Sequence, residues 1–372
     1  SNSRMVIYYR TESEITKKQK LLERMFCSFC NNLVTSHTEN PLKREKLTDM
    51  NTTVENRLLA LRQWMKRKGI HAFITPSTDP HSGEYVPERW KSREYISGFT
   101  GSAGTAVVTL TKAALWTDNR YFLQAAAQIE GTDYSLMKIG LEDTPSIQEW
   151  LAEVLNEGEK VGVDGLCYTV SDFQSLSQSL SAFGIQTLSV EDPYDEVWEE
   201  RPQIPDNLVE IQPLQFAGET AKSKIARIRK AISAKKAESI VISMLDEVAW
   251  TLNLRGTDVE CNPVFVSYLF ISQNDATLYI NQEKISAEVE SYLTAEGVRI
   301  KNYSEIIADL KAVDVPVLIQ ADKTNYAIGA RLQRPVYADC PVSALSGGEK
   351  GRVIYIASGA TAELRGRRRT TD

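Results

Sequence analysis

The residue types that most often carry enzyme chemistry are scarce in this chain. Of its 372 residues, three are histidines (His37, His71 and His81) and five are cysteines (Cys27, Cys30, Cys167, Cys261 and Cys340). A nucleophile–histidine–acid triad or a metal cage draws imidazoles, thiolates and carboxylates to one point. No spacing here assembles either, so no catalytic residue and no metal ligand is assigned. Cys27-Ser-Phe-Cys30 has the spacing of a zinc knuckle, but His37 is the one further ligand nearby. A closed zinc site needs about four ligands, so two unpaired thiols are the expected state.

The remaining constellations are weaker. Asp246-Glu247 and Asp258/Glu260 are acidic pairs. Asp246 opens an apolar helical repeat, where a carboxylate complements the helix N-terminus. Asp258 and Glu260 follow Arg255, so ion pairing is expected. His81, within Thr78-Asp-Pro-His-Ser-Gly-Glu-Tyr85, is expected on an exposed polar loop. Ser97-Gly-Phe-Thr-Gly-Ser-Ala-Gly-Thr105 is glycine-rich, but no Gly-Lys-Ser/Thr closes it and a strand follows it. It is therefore expected to be a sharp loop with glycines at positive φ rather than a phosphate cradle. Trp116-Thr-Asp-Asn-Arg120 ends a strand and leads into a helix. Asp118 can cap that helix or pair with Arg120. An arginine at a strand's C-terminal edge can hold a carboxylate or peptide carbonyl through its planar fork of donors.

The elements that would position these residues read as α/β. Val54, Leu58, Leu61 and Met65 recur at helical spacing and Gly69 stops the helix. Strands are expected at 71–75, 105–110, 113–117, 160–164 and 185–188, with helices over 120–129 and 170–182 and one opened by Thr144-Pro145. A second set follows: a helix from Ile225, a strand at 239–243, a helix over 245–252, strands at 264–268 and 276–280, a helix at Val289, a strand at 298–300, a helix at 304–311 and a strand at 316–320. The two sets look like copies. Leu61-Arg62 matches Ile228-Arg229, the Tyr95–Gly101 stretch matches Trp250–Gly256, and Leu115–Asn119 matches Leu278–Gln282. The expected organisation is an extension over 1–49, a first domain over 50–190, an acidic Pro-rich linker over 191–213, a second domain over 214–345 and a basic tail over 346–372.

Composition narrows the classes. Lys and Arg total 43 against 49 Asp and Glu, a net charge of −6, which argues against a polyanion binder. The run Arg365–Arg369 lacks interleaved aromatics and is expected to be solvated, so no nucleic-acid partner is expected. No apolar run approaches the ~18 residues of a membrane span, so no membrane partner is expected. An odd, dispersed set of cysteines is no disulfide framework, and a cytoplasmic location is expected.

Three longer segments carry a specific resemblance. Glu94-Tyr-Ile-Ser-Gly-Phe-Thr-Gly-Ser-Ala-Gly-Thr105, Leu115-Trp-Thr-Asp-Asn-Arg-Tyr-Phe-Leu-Gln-Ala-Ala126, and the stretch from Leu245 through Leu254-Arg-Gly-Thr-Asp-Val-Glu260 to Tyr268 resemble the long Xaa-Pro aminopeptidases of the creatinase/prolidase family. The resemblance runs from about Met50 to about Pro341. It implies two tandem, duplicated creatinase/prolidase N-terminal-type domains with mixed sheets flanked by helices. In the family a third domain holds two metal ions, usually manganese, and releases an N-terminal residue that precedes proline. The last residues of this chain do not resemble that domain, so a non-catalytic, truncated portion without cofactor is expected, inactive alone. Its expected partners are the missing catalytic domain, a peptide with proline in second position, and a second copy in a homodimer. The alternative is a free-standing peptide- or protein-binding module. The resemblance makes Arg120 a substrate-binding residue, with Asn119 in place of the family's usual glycine. Asparagine tolerates positive φ, so the turn is expected to survive.

Overall fold

The apolar residues spaced along Val54–Met65 do line one helix face. In the structure, a computed structural model that describes residues 41–346, they lie on α1 (Pro41–Lys68). Val54, Leu58, Leu61, Trp64 and Met65 are all buried. Gly69 ends the helix with φ +65°, and Ile70 N–H returns to the Met65 carbonyl at 2.9 Å, a left-handed stop that glycine allows without a Cβ clash.

The chain continues as β1 (Ala72–Pro76), α2 (Ser92–Ser97), β2 (Thr105–Thr109), β3 (Ala113–Thr117), α3 (Phe122–Gln128), β4 (Tyr134–Lys138), α4 (Ile147–Val154), β5 (Lys160–Asp164), α5 (Val170–Ser181), β6 (Gln186–Val190) and α6 (Tyr194–Val197). The six strands form one mixed sheet ordered β4-β3-β2-β1-β5-β6. Alternation sorts their side chains. Phe73, Ala106, Val108, Ala113 and Leu115 pack with α1, whereas Ala72, Ile74, Val107, Ala114 and Trp116 pack with α4 and α5. Both faces are covered, which is why these strands read as unbroken apolar runs.

The second half runs β7 (Glu210–Ile211), α7 (Leu214–Ala217), α8 (Ala221–Ala234), β8 (Ser239–Ile242), α9 (Leu245–Leu252), β9 (Leu254–Arg255), β10 (Ser267–Ser272), β11 (Ala276–Ile280), α10 (Ala287–Ala295), β12 (Val298–Lys301), α11 (Ile306–Lys311), β13 (Val317–Ile319), α12 (Tyr326–Gly329), β14 (Pro335–Tyr337) and α13 (Pro341–Leu345). Its sheet, β12-β11-β10-β8-β13-β14, repeats the first strand for strand. The directions repeat as well: β1–β2 and β8–β10 are antiparallel, β1–β5 and β8–β13 parallel. The copies suggested by the sequence are thus two α/β units of one topology. They share a seam, where Val170 of α5 joins Val241, Tyr268, Val317 and Ile328 in one apolar cluster.

Two local expectations are corrected. Ser146, not Thr144, caps α4, and a reciprocal capping box with Glu149 defines the start. Val264–Val266 precede β10 rather than form it, because the Val266 N–H is taken by the Asp258 carboxylate at 2.6 Å instead of by a neighbouring strand. The edge strands β4 and β14 carry no clear strand signal in the sequence: β4 alternates half-polar residues and β14 is three residues long. The Pro-rich stretch 191–213 is well tied down. Tyr194 is buried in the first core, and Arg201 pairs with Asp192 at 2.7 Å and Asp195 at 2.8 Å.

Candidate functional site

Arg120 stands on the turn between β3 and α3, and the turn is built on the glycine-rich loop beside it. Arg93 of α2 is the anchor. Its buried guanidinium donates to Ser77 Oγ at 2.8 Å and to the carbonyls of Phe99 and Gly101. Burial lowers Arg93 to about 10, so it remains charged at neutral pH. Ser77 Oγ and Thr117 Oγ1 add bonds to the Gly104 and Ala103 carbonyls, both at 2.7 Å. The expected positive φ occurs at Gly98 (φ +70°) but not at Gly101 or Gly104. Those two are needed for close approach instead: a Cβ at Gly101 would meet the Phe99 ring at 2.2 Å, and one at Gly104 the Trp116 carbonyl at 2.9 Å.

The clamped loop fixes Tyr121, whose hydroxyl shares a 2.7 Å hydrogen bond with Ser102 Oγ and whose ring meets Phe99 edge-on. Arg120 precedes Tyr121 and lies 5.2 Å from its ring centroid. Asp118 pairs with Arg120 rather than capping α3, accepting from Nε at 2.9 Å and Nη2 at 2.8 Å. That pair holds the Asp118 carboxyl below the usual range. The Arg120 side chain is still 64% exposed, so its remaining donors can meet an incoming acceptor. Asn119 is not in left-handed backbone: positive φ among described residues other than glycine occurs at Ser82, Lys236, Asn253 and Cys261. The asparagine therefore needs no special tolerance at that turn.

The other sequence candidates do not join this site. His81 is fully buried at the seam, not exposed on a loop. Its Nδ1 lies 2.9 Å from the Ser243 carbonyl, its Nε2 lies 2.9 Å from the Tyr303 hydroxyl, and its ring packs on Tyr268. Burial lowers its pKa. Asp258 pairs with buried Lys284 rather than with Arg255, whose Nη1 donates to the Ala249 and Leu254 carbonyls. Asp246 and Glu247 lie in the first turn of α9. Cys27, Cys30, His37 and Arg365–Arg369 lie outside the described residues. Among the described residues, no three His, Cys, Asp or Glu side chains gather to hold a metal ion, so these residues do not fit a two-metal centre. No described helix is long and apolar enough to cross a membrane.

A cleft of about 580 Å³ has no local signal in the sequence. It opens at the strand ends of the first sheet, between Ser77, Gly104 and Asp172 on one side and Asp322 of the second unit on the other. Only the fold brings these segments together. Cys167 lines it, but burial and nearby carboxylates push the thiol well above its ordinary value, so it is not a ready nucleophile. Beside it, burial and the Asp192 carboxylate push Asp164 up to about 7.

This fold and these motifs coincide with a known family. The creatinase/prolidase N-terminal domain model matches residues 57–196, and a second model of that description matches 200–345. The chain belongs to the creatinase/prolidase family and carries its N-terminal domain twice in tandem. Among curated proteins it is similar to those named probable Xaa-Pro aminopeptidase P. One from Ajellomyces capsulatus strain H143 is 43% identical over 297 residues, covering 79% of this chain and 46% of that protein. One from Paracoccidioides brasiliensis strain Pb03 is 46% identical over 259 residues, 69% of this chain and 42% of the relative. The chain thus spans less than half the length of these curated relatives. Among solved structures, X-prolyl aminopeptidase from Caenorhabditis elegans, described as a cytosolic enzyme with a di-nuclear active site, superposes with a TM-score of 0.75 at 29% identity over 79% of this chain and 51% of that one.

Proposed function

We propose that this chain is the non-catalytic N-terminal portion of an Xaa-Pro aminopeptidase, and that its first domain guides peptide N-termini toward a metallopeptidase site on a further domain. The observation that carries this reading is Arg120: an exposed guanidinium on a turn held by a buried arginine and two crowded glycines, Gly101 and Gly104. Such rigidity suits a group that must meet a substrate in one geometry. The similarity to aminopeptidase P supports the same reading. Within it, residues 50–190 and 214–345 are the two domains, 191–213 their linker, and 1–49 and 346–372 the flanks. The full enzyme uses two metal ions, manganese in our reading, acts in the cytoplasm and assembles as a homodimer.

Coding DNA around and beyond codon 345, read in all frames, tests the continuity. If no metallopeptidase sequence lies there, the alternative gains: a free-standing module that binds peptide or protein through the Arg120 face, which stands open on the described domains alone. Purified chain with manganese should release nothing from an Xaa-Pro peptide; chelator-sensitive turnover would refute the reading. In a chain joined to a catalytic domain, Arg120→Ala should raise KM about tenfold with kcat little changed, the signature of a lost binding contact.

A further inference from the structure

We propose that Asp118 is a positioning residue that makes the Arg120 turn a reader of neutral peptide carbonyls rather than of free carboxylates. This rests on the reading of Arg120 as a peptide contact. One carboxylate does three things here. Asp118 accepts the Arg120 backbone N–H at 3.0 Å, its Nε–H at 2.9 Å and an Nη2–H at 2.8 Å. The main chain and the guanidinium plane are therefore set together, before any ligand arrives. The side-on edge of the guanidinium is filled, leaving the Nη1 and outer Nη2 donors for an acceptor that comes end-on.

Asp118 and Arg120 form a pair with no net charge, and Arg120 keeps the Asp118 carboxyl ionised below its usual range. A carbonyl dipole loses little by this, since it needs only the aimed N–H groups. A carboxylate at the end-on edge would touch the guanidinium and lie farther from the Asp118 charge on the other edge, so in water Asp118 offsets much of the attraction and leaves a preference of only about twofold. The neighbouring cation is Lys138, at the end of β4. Its register partner is Thr117, its Nζ lies 5.7 Å from the Phe122 ring centroid, and it joins no ion pair among the described residues. Lys138 is the rival group for a carboxylate.

The test is titration of the purified chain with Ala-Pro-Ala as the free acid and as the C-terminal amide, followed through the Arg120 Nε–H resonance. Wild type should bind both forms within about twofold, with little effect of salt. Asp118→Asn, checked for an unchanged melting curve, should favour the free acid by roughly three- to fivefold, the size of a surface ion pair. That preference should fade in high salt, and the Nε–H resonance should move as its carboxylate is lost. Arg120→Ala should bind neither form. A wild-type preference for the free acid that disappears in Lys138→Gln overturns the inference in favour of Lys138. An Asp118→Asn protein with wild-type selectivity also overturns it while leaving Arg120 as the peptide contact. Peptide binding that is absent, or indifferent to Arg120→Ala, overturns the proposed function and this inference with it.

Discussion

At the scale of single residues, the glycine-rich loop shows how much chemistry a non-functional motif can organise. Arg93 satisfies two loop carbonyls that would otherwise be buried without a donor. Gly101 lets the Phe99 and Tyr121 rings close over the loop, with the nearest Tyr121 carbon 2.8 Å from where a Cβ would sit. Gly101→Ala must push one ring aside, so it should lower stability by about 1–3 kcal/mol, the usual cost of overpacking. Urea denaturation measures that loss. The Arg120 Nε–H resonance should broaden in the same variant, because Tyr121 no longer fixes the turn.

At the scale of elements, caps decide where helices begin. The start of α4 rests on two reciprocal hydrogen bonds, Ser146 Oγ from the Glu149 N–H at 3.2 Å and the Glu149 carboxylate from the Ser146 N–H at 2.8 Å. Ser146→Ala should cost about 1 kcal/mol. Thr144→Ala should cost nearly nothing, since Thr144 lies before the cap; comparing the two melting midpoints checks the assignment. The same box shows how closely two readings can compete: Thr144-Pro145 and Ser146 both satisfy the sequence rule for a helix start, and only the backbone path chooses between them.

At the scale of the molecule, two buried groups pull stability in opposite directions with pH. His81 is held neutral at the seam, with its pKa lowered by burial. The unfolded chain therefore binds a proton that the folded one refuses once pH falls below about 6.5. Stability from His81 is present above that value and lost on acidification. Asp164 behaves in reverse. Its pKa is raised to about 7 by burial and by Asp192, so between about 4 and 7 the folded chain holds a proton the unfolded one has shed. Stability from Asp164 is gained on acidification. The two contributions offset each other across that window. His81→Asn should leave a protein that grows more stable from pH 7 to 5, and Asp164→Asn one that grows less stable over that range. Chemical denaturation at both pH values reads the signs, and equal slopes in the two variants would reject the assignment.

The sequence by itself determined what depends on local pattern. Apolar runs such as Ala113–Trp116 and the helical repeat from Val54 to Met65 carry their own period, so the α/β class and the repeated order were legible. So were the turn at Arg120 and its pairing with Asp118, because a strand end followed by Asp-Asn-Arg marks a turn whatever surrounds it, and the paired side chains lie two residues apart. What only the tertiary structure decided are the contacts between segments distant along the chain. His81 reads as a solvated loop residue because its neighbours are polar; it is buried because Ser243 and Tyr303, both on the second unit, close over it. Asp258 has Arg255 three residues away in sequence, yet it pairs with Lys284, since the 3-10 turn Gln282–Lys284 that follows β11 carries that lysine into the same buried space. The cleft between Ser77 and Asp322 belongs to neither segment alone. Period and turn chemistry are local free-energy preferences, whereas burial and pairing are settled by which surfaces the packed units leave no water to reach.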